Sequence, residues 1–174
     1  KEEVGSTGNT GAGSHFFEDI IAEIVYLTAD NYSDILVKRC LKNSVMLSSD
    51  VSAGYDPLYA AAFELKNAAQ LSYGICFNKY LGSRGKGGSN DAAPEYYAKI
   101  RKVLDEAGVS YQTAEIGAVD VGGGGTIAGI FAKLNMEVID AGVAVLNMHA
   151  PHEMVSKADV YEAYKGYIAF LKEI

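Results

Sequence analysis

This sequence predicts an α/β domain, a three-layer α/β/α sandwich with a largely parallel, mixed sheet, and three observations lead there. Apolar residues recur at helical spacing in several separate stretches. Short apolar runs bounded by Gly, Pro, Asn and Ser clusters lie between those stretches and read as strands. Helical and strand patterns therefore alternate, which indicates a layered α/β domain. At 174 residues with 49% hydrophobic content, one domain can bury a substantial core.

The elements follow in order. Residues 15–27 set Phe16, Ile20, Ile21, Ile24 and Leu27 at helical spacing, with Ser14 as N-cap and Glu18 and Asp19 in the first turn. Asp30-Asn31-Tyr32-Ser33 breaks that pattern. A second helix is expected from Ser33 or Asp34 to Leu41, with Ile35, Leu36, Cys40 and Leu41 inward. Residues 44–51 read as a buried strand with a polar end, and Asp56-Pro57 marks a turn. Residues 72–79 are a second strand candidate, followed by a glycine-rich basic loop over 82–91. Residues 94–107 form an amphipathic helix with Tyr97, Ile100, Val103 and Leu104 on one face, opened by Pro94 and stopped by Gly108. A strand over 111–116, a glycine run, a helix over 126–134 and a strand within 137–148 come next. The terminal helix spans 156–172, with Val160, Tyr164, Tyr167 and Leu171 at helical spacing. There is no internal repeat and no internal domain boundary.

Net charge is −7 and the pI is near 4.9, which argues against generic nucleic-acid binding and against an anionic membrane surface. Cys40 and Cys76 are too few for a disulfide framework and lack CxxC spacing, so reduced thiols in a cytoplasmic protein are expected. No signal peptide is visible, and no apolar run reaches the length of a membrane span. The chain has no initiator Met and opens on Lys1-Glu2-Glu3, from which a cleaved or truncated product, with part of its site elsewhere, is expected.

Five stretches carry groups that chemistry can use. Glu2 and Glu3 precede a polar, glycine-rich run; in extended backbone their side chains diverge, so one can bind a metal while the other faces a water beside it. The alternative is a solvated acidic terminus. Asp50 closes the first strand, where sheets of this class collect ligands; it competes with a turn or capping role. His149 ends the apolar run 143–148, as a metal ligand or a hydrogen-bonded structural residue, and His152, past Pro151, is its rival. Gly122-Gly123-Gly124-Gly125-Thr126 can cradle a phosphate, let backbone approach a substrate, or be a loose loop; it matches neither a P-loop nor a spaced GxGxxG. In the loop 83–88, Arg84 and Lys86 are either solvated or a clamp for a carboxylate.

Taken together, Lys1-Glu2-Glu3-Val4-Gly5-Ser6-Thr7-Gly8, Ser48-Ser49-Asp50-Val51, Gly85-Lys86-Gly87-Gly88-Ser89-Asn90-Asp91, residues 120–126, Asp140-Ala141-Gly142-Val143, Met148-His149-Ala150-Pro151 and Ser156-Lys157-Ala158-Asp159-Val160-Tyr161 resemble the aspartyl aminopeptidase family of co-catalytic zinc exopeptidases. The order and spacing agree over nearly the whole chain. The resemblance implies a metal-dependent aminopeptidase releasing N-terminal residues, acidic ones among them, from peptides. It implies the C-terminal part of the catalytic domain, with the upstream part and the smaller oligomerisation domain outside this chain. By resemblance, Glu2 is the general base, Glu3 and His149 hold one metal, and Asp50 binds the other. A further His and a bridging Asp belong upstream. Two zinc ions are implied, with manganese or cobalt as alternatives. Gly123 and Gly124 would meet the substrate through their backbone, and Arg84 and Lys86 would supply charge for acidic residues. The chain departs from animal members at Gly87 and Gly88, where those carry bulkier residues. A homo-oligomer, up to a dodecamer, is implied as well. The reading from another class is a non-catalytic subunit or interaction module that retains the fold.

Overall fold

In the computed structural model, residues 6–79, 81–82 and 90–174 are described; Glu2, Glu3, Arg84 and Lys86 lie outside the described residues. The order is α1 (Phe16–Thr28), α2 (Asp34–Lys42), β1 (Val45–Ser48), β2 (Ser52–Ala53), a 3-10 helix (Pro57–Ala62) and β3 (Ile75–Asn78). Then follow α3 (Pro94–Glu106), β4 (Tyr111–Thr113), α4 (Ala128–Ala132), β5 (Glu137–Gly142), β6 (Ala144–Leu146), β7 (Met154–Val155) and α5 (Lys157–Glu173).

One sheet has four strands in the order β1-β5-β3-β4, and a smaller one has the order β2-β6-β7. β1 runs parallel to β5, β3 parallel to β4 and β2 parallel to β6; the β3–β5 and β6–β7 pairs are antiparallel. Successive side chains of β5 point to opposite faces, so one strand supplies two cores. Ile139 packs with Phe77, Tyr96, Ile100 and Leu104 beneath α3 and α5. Val138 packs with Val25, Leu41, Ala128 and Phe131 beneath α1, α2 and α4. Helices therefore cover both faces, and the mixed, three-layer expectation holds.

The helices agree with the sequence in position more than in orientation. α1 is capped at His15 rather than Ser14, whose Oγ accepts the Phe16 N–H at 3.3 Å. Its inward stripe is Phe17, Ile21 and Val25, whereas Phe16, Ile20, Ile24 and Leu27 are exposed. Phe17 meets Phe131 edge-on, with ring centroids 5.0 Å apart, and that pairing orients the helix. In α2, Val37 and Leu41 are buried while Ile35 is exposed. α5 differs most. Its buried residues are Asp159, Ala163, Gly166 and Ala169, and Val160, Tyr164 and Leu171 face outward. A Cβ on Gly166 would lie 2.3 Å from Ile75 Cδ1 and would force that side chain to shift, so a face of small residues suits this close approach to the sheet.

Candidate functional site

The site is built where the two sheets part. β1 continues into β2 and β5 into β6, with the same pairing offset on both sides of the break: Ser48 faces Asp140 and Ser52 faces Ala144. Asp50 therefore stands opposite Gly142. At Gly142 the central strand makes its last pairing with β3, at Cys76, and beyond it pairs with β7 instead. Diverging strands leave a crevice at their carboxyl ends. A Cβ at position 142 would sit 1.6 Å from the Asp50 carbonyl oxygen, so only glycine lets the two backbones meet here. The Val51 N–H donates to Asp50 Oδ1 at 2.7 Å and holds the carboxylate in one orientation. Tyr167 of α5 buttresses the break: its hydroxyl lies 2.7 Å from Ser49 Oγ and donates to the Ala141 carbonyl at 3.1 Å.

A cavity of about 420 Å³ opens over this break and is lined by Asp50, Phe63, Gly123, Gly124, His149 and Glu153, among others. His149 sits at the tip of the hairpin between β6 and β7, exposed, with φ +67°, and Asn147 in the same turn has φ +59°. The His149 N–H donates to Glu153 Oε1 at 2.6 Å across the turn. His152 is not among the lining residues. The structure thus brings together Asp50, His149, Gly123 and Gly124, four residues singled out in the sequence.

Gly123 adopts φ +122°, a conformation glycine alone tolerates readily, and the Gly124 carbonyl accepts the Gly82 N–H at 2.7 Å. The run ends at Thr126, whose hydroxyl accepts the Ala128 N–H at 3.1 Å and donates to Asp140 Oδ1 at 2.6 Å. Asp140 is 2% exposed, and its Oδ2 is buried with no hydrogen-bond partner among the described residues. Burial pushes its pKa up to about 6, the Thr126 and Ser48 hydroxyls pull the other way, and the Asp50 carboxylate pushes it further up. A phosphate cradle on the glycine run loses its support: α4 is only 5 residues long, and Asp50 and Asp140 make the neighbourhood unfavourable for an anion.

Three residues of the site carry no role in the sequence reading. Gly142 had a signal, since an isolated glycine inside a strand pattern marks a close backbone approach. Asp140 had a weaker one, a carboxylate in an otherwise apolar strand. Glu153 had none, because its contact with the His149 N–H depends on a turn between strands too short to show periodicity.

Among the described residues, no group of three His, Cys, Asp or Glu side chains is placed to hold a metal ion. The cavity offers two carboxylates and one imidazole, Asp50, Glu153 and His149; Glu153 is engaged by the His149 N–H, and the donor chemistry of Asp50 and His149 suits zinc. Zinc sites need at least three protein ligands, so other donors must complete one here. No helix among the described residues is long and apolar enough to cross a membrane.

Comparison with known proteins agrees with this architecture. Residues 1–171 match the family model for the aminopeptidase I zinc metalloprotease (M18) family. The chain is 58% identical over 171 residues to a probable M18 family aminopeptidase 1 of Clostridium acetobutylicum, covering 98% of this chain and 37% of that protein. It is 25% identical over 174 residues to an aspartyl aminopeptidase of Caenorhabditis elegans, covering 99% of this chain and 35% of that protein. Among solved structures, an M18 family aminopeptidase of Thermotoga maritima superposes with a TM-score of 0.95 at 44% identity, over 100% of this chain and 39% of that one. This chain thus spans well under half the length of the relatives it matches. With the match to the family model running over almost every residue, the chain belongs to the aminopeptidase I zinc metalloprotease (M18) family.

Proposed function

We propose that this chain is part of the catalytic domain of a zinc-dependent aminopeptidase, which releases N-terminal residues from peptides. The observation that carries this reading is the meeting of Asp50, His149 and the glycine run on one cavity, in a chain of this family. Glu3 and His149 hold one ion and Asp50 the other; the remaining ligands, a His and a bridging Asp, come from sequence outside this chain. Two bound zinc ions would acidify a water and polarise the scissile carbonyl. Glu2 takes the proton of that water and delivers it to the leaving amine. Gly123 and Gly124 present backbone to the peptide, since a Cβ at position 124 would meet nothing within 4 Å and the loop faces open space. Arg84 and Lys86 favour peptides with acidic N-terminal residues. The protein works in the cytoplasm as a homo-oligomer.

The decisive experiment separates catalysis from metal binding in the full-length protein. Glu2→Gln keeps the side chain's size and removes its basicity. Zinc content should stay at the wild-type level while kcat falls by a factor of about 10² to 10⁴ and KM changes little. Glu3→Gln should instead lower zinc occupancy. Zinc lost in the Glu2 variant and kept in the Glu3 variant would mean the two roles are exchanged. Full activity in both would remove the acidic pair from the mechanism, whereas a full-length protein with neither zinc nor activity would favour a non-catalytic module.

A further inference from the structure

We infer that Glu153 is the positioning residue for His149: its carboxylate holds the backbone turn that delivers the imidazole to the cavity. The inference rests on the reading of His149 as a metal ligand, and it adds a residue outside the ligand set. The turn between β6 and β7 contains two non-glycine residues in the left-handed region, Asn147 at φ +59° and His149 at φ +67°. Neither conformation is intrinsically favoured, and such strain persists only where surrounding contacts over-determine it. Asn and His are both enriched in this region among non-glycine residues, and each still needs a contact that holds it there.

Two of the bonds at this turn contribute to the restraint. The Ala150 N–H donates to the Asn147 carbonyl at 2.9 Å and closes the first half of the turn. The second half is closed by the His149 N–H, which donates to Glu153 Oε1 at 2.6 Å, a short bond to a carboxylate. Glu153 can reach because β7 begins at the next residue, Met154, which pairs with Leu146 of β6 and fixes the far end of the hairpin. The carboxylate therefore acts on the peptide group from which the imidazole projects, and both residues line the same cavity. Releasing that peptide lets residue 149 relax toward ordinary backbone angles and swings the ring away from Asp50. Outer partners of this kind typically change metal affinity by about 10-fold or more.

The test measures Zn²⁺ affinity of the full-length protein by competition with a chromogenic chelator, without substrate. Glu153→Met keeps the side chain's length and removes the acceptor; Glu153→Gln keeps an acceptor oxygen and removes the charge. Glu153→Met should weaken binding of one of the two zinc ions by about 10-fold, and Glu153→Gln, which keeps the acceptor, should bind zinc as wild type does. Equal affinity in Glu153→Met and wild type overturns the inference. Equal loss in both variants also overturns it, because charge rather than acceptance at the His149 amide would then be what matters. Should Glu153→Met fail to fold, Glu153→Asp withdraws the oxygen by one methylene and must show a loss that Glu153→Gln does not. His149→Ala is run beside them. If it keeps both zinc ions, the ligand reading itself fails; if it loses one while Glu153→Met loses none, only the positioning role fails.

Discussion

At the scale of single residues, Asp140 makes stability depend on pH in a direction opposite to most carboxylates. Burial raises its pKa from 3.8 to about 6. The folded state then holds a proton that the unfolded state has already released between those values. The stabilisation is complete below about pH 4 and is lost as pH rises through about 6, leaving a buried charge beside Asp50. The shift corresponds to roughly 3 kcal/mol. Asp140→Asn keeps an acceptor for Thr126 and cannot ionise. Thermal unfolding of zinc-free protein should therefore show the two proteins matched near pH 4 and the variant more stable at pH 7. Parallel curves over that range would remove Asp140 as the cause. The same residue illustrates what the sequence left unread: a carboxylate in an apolar strand is visible, but which hydroxyls and which second carboxylate surround it depends on strand register.

At the scale of elements, the start of α5 is tied to the segment leading into β3 by a buried carboxylate. Asp159 is fully buried in the helix's first turn, where its Oδ2 and Oδ1 accept the N–H groups of Ser72 and Gly74, each at 2.7 Å. Those residues lead into β3 with φ +70° and +88°, and a Cβ on Gly74 would lie 2.0 Å from the Ser110 carbonyl oxygen. Asp159→Ala leaves two backbone donors without their acceptor and should cost about 2–4 kcal/mol. Urea unfolding should show a lower midpoint at unchanged m-value; a loss below about 1 kcal/mol would mean the loop finds other partners. The ends of α3 were legible, because Pro94 and Gly108 act through local backbone geometry. The inward face of α5 was not. Periodicity follows the large apolar side chains, while a close helix-to-sheet approach selects Ala163, Gly166 and Ala169. β7 was invisible for a related reason: two residues have no period, and only pairing with β6 makes them a strand.

At the scale of the whole molecule, large apolar side chains stay exposed on two helices, with Phe16 and Leu27 on α1 and Tyr161, Tyr164 and Leu171 on α5. Apolar side chains exposed singly are ordinary on a protein surface, and only a contiguous patch marks an association face. The proposal that the full-length protein is a homo-oligomer is therefore tested by its mass in solution. Sedimentation velocity at micromolar concentration should give a species several times the monomer mass. A monomer would remove the assembly and leave the site chemistry standing.

The sequence by itself determined the alternation of helices and strands, the polar ends of the strands, and which side chains were available as donors. These follow from local periodicity and residue chemistry, which no fold can change. Only the tertiary structure decided that Asp50 and His149 share one cavity with Gly123 and Gly124. Their meeting depends on β1 and β5 keeping register through a break that Gly142 alone permits, and on a hairpin that turns His149 back over it. Register and turn geometry arise from pairing between distant segments, so distance along the chain carries no trace of them.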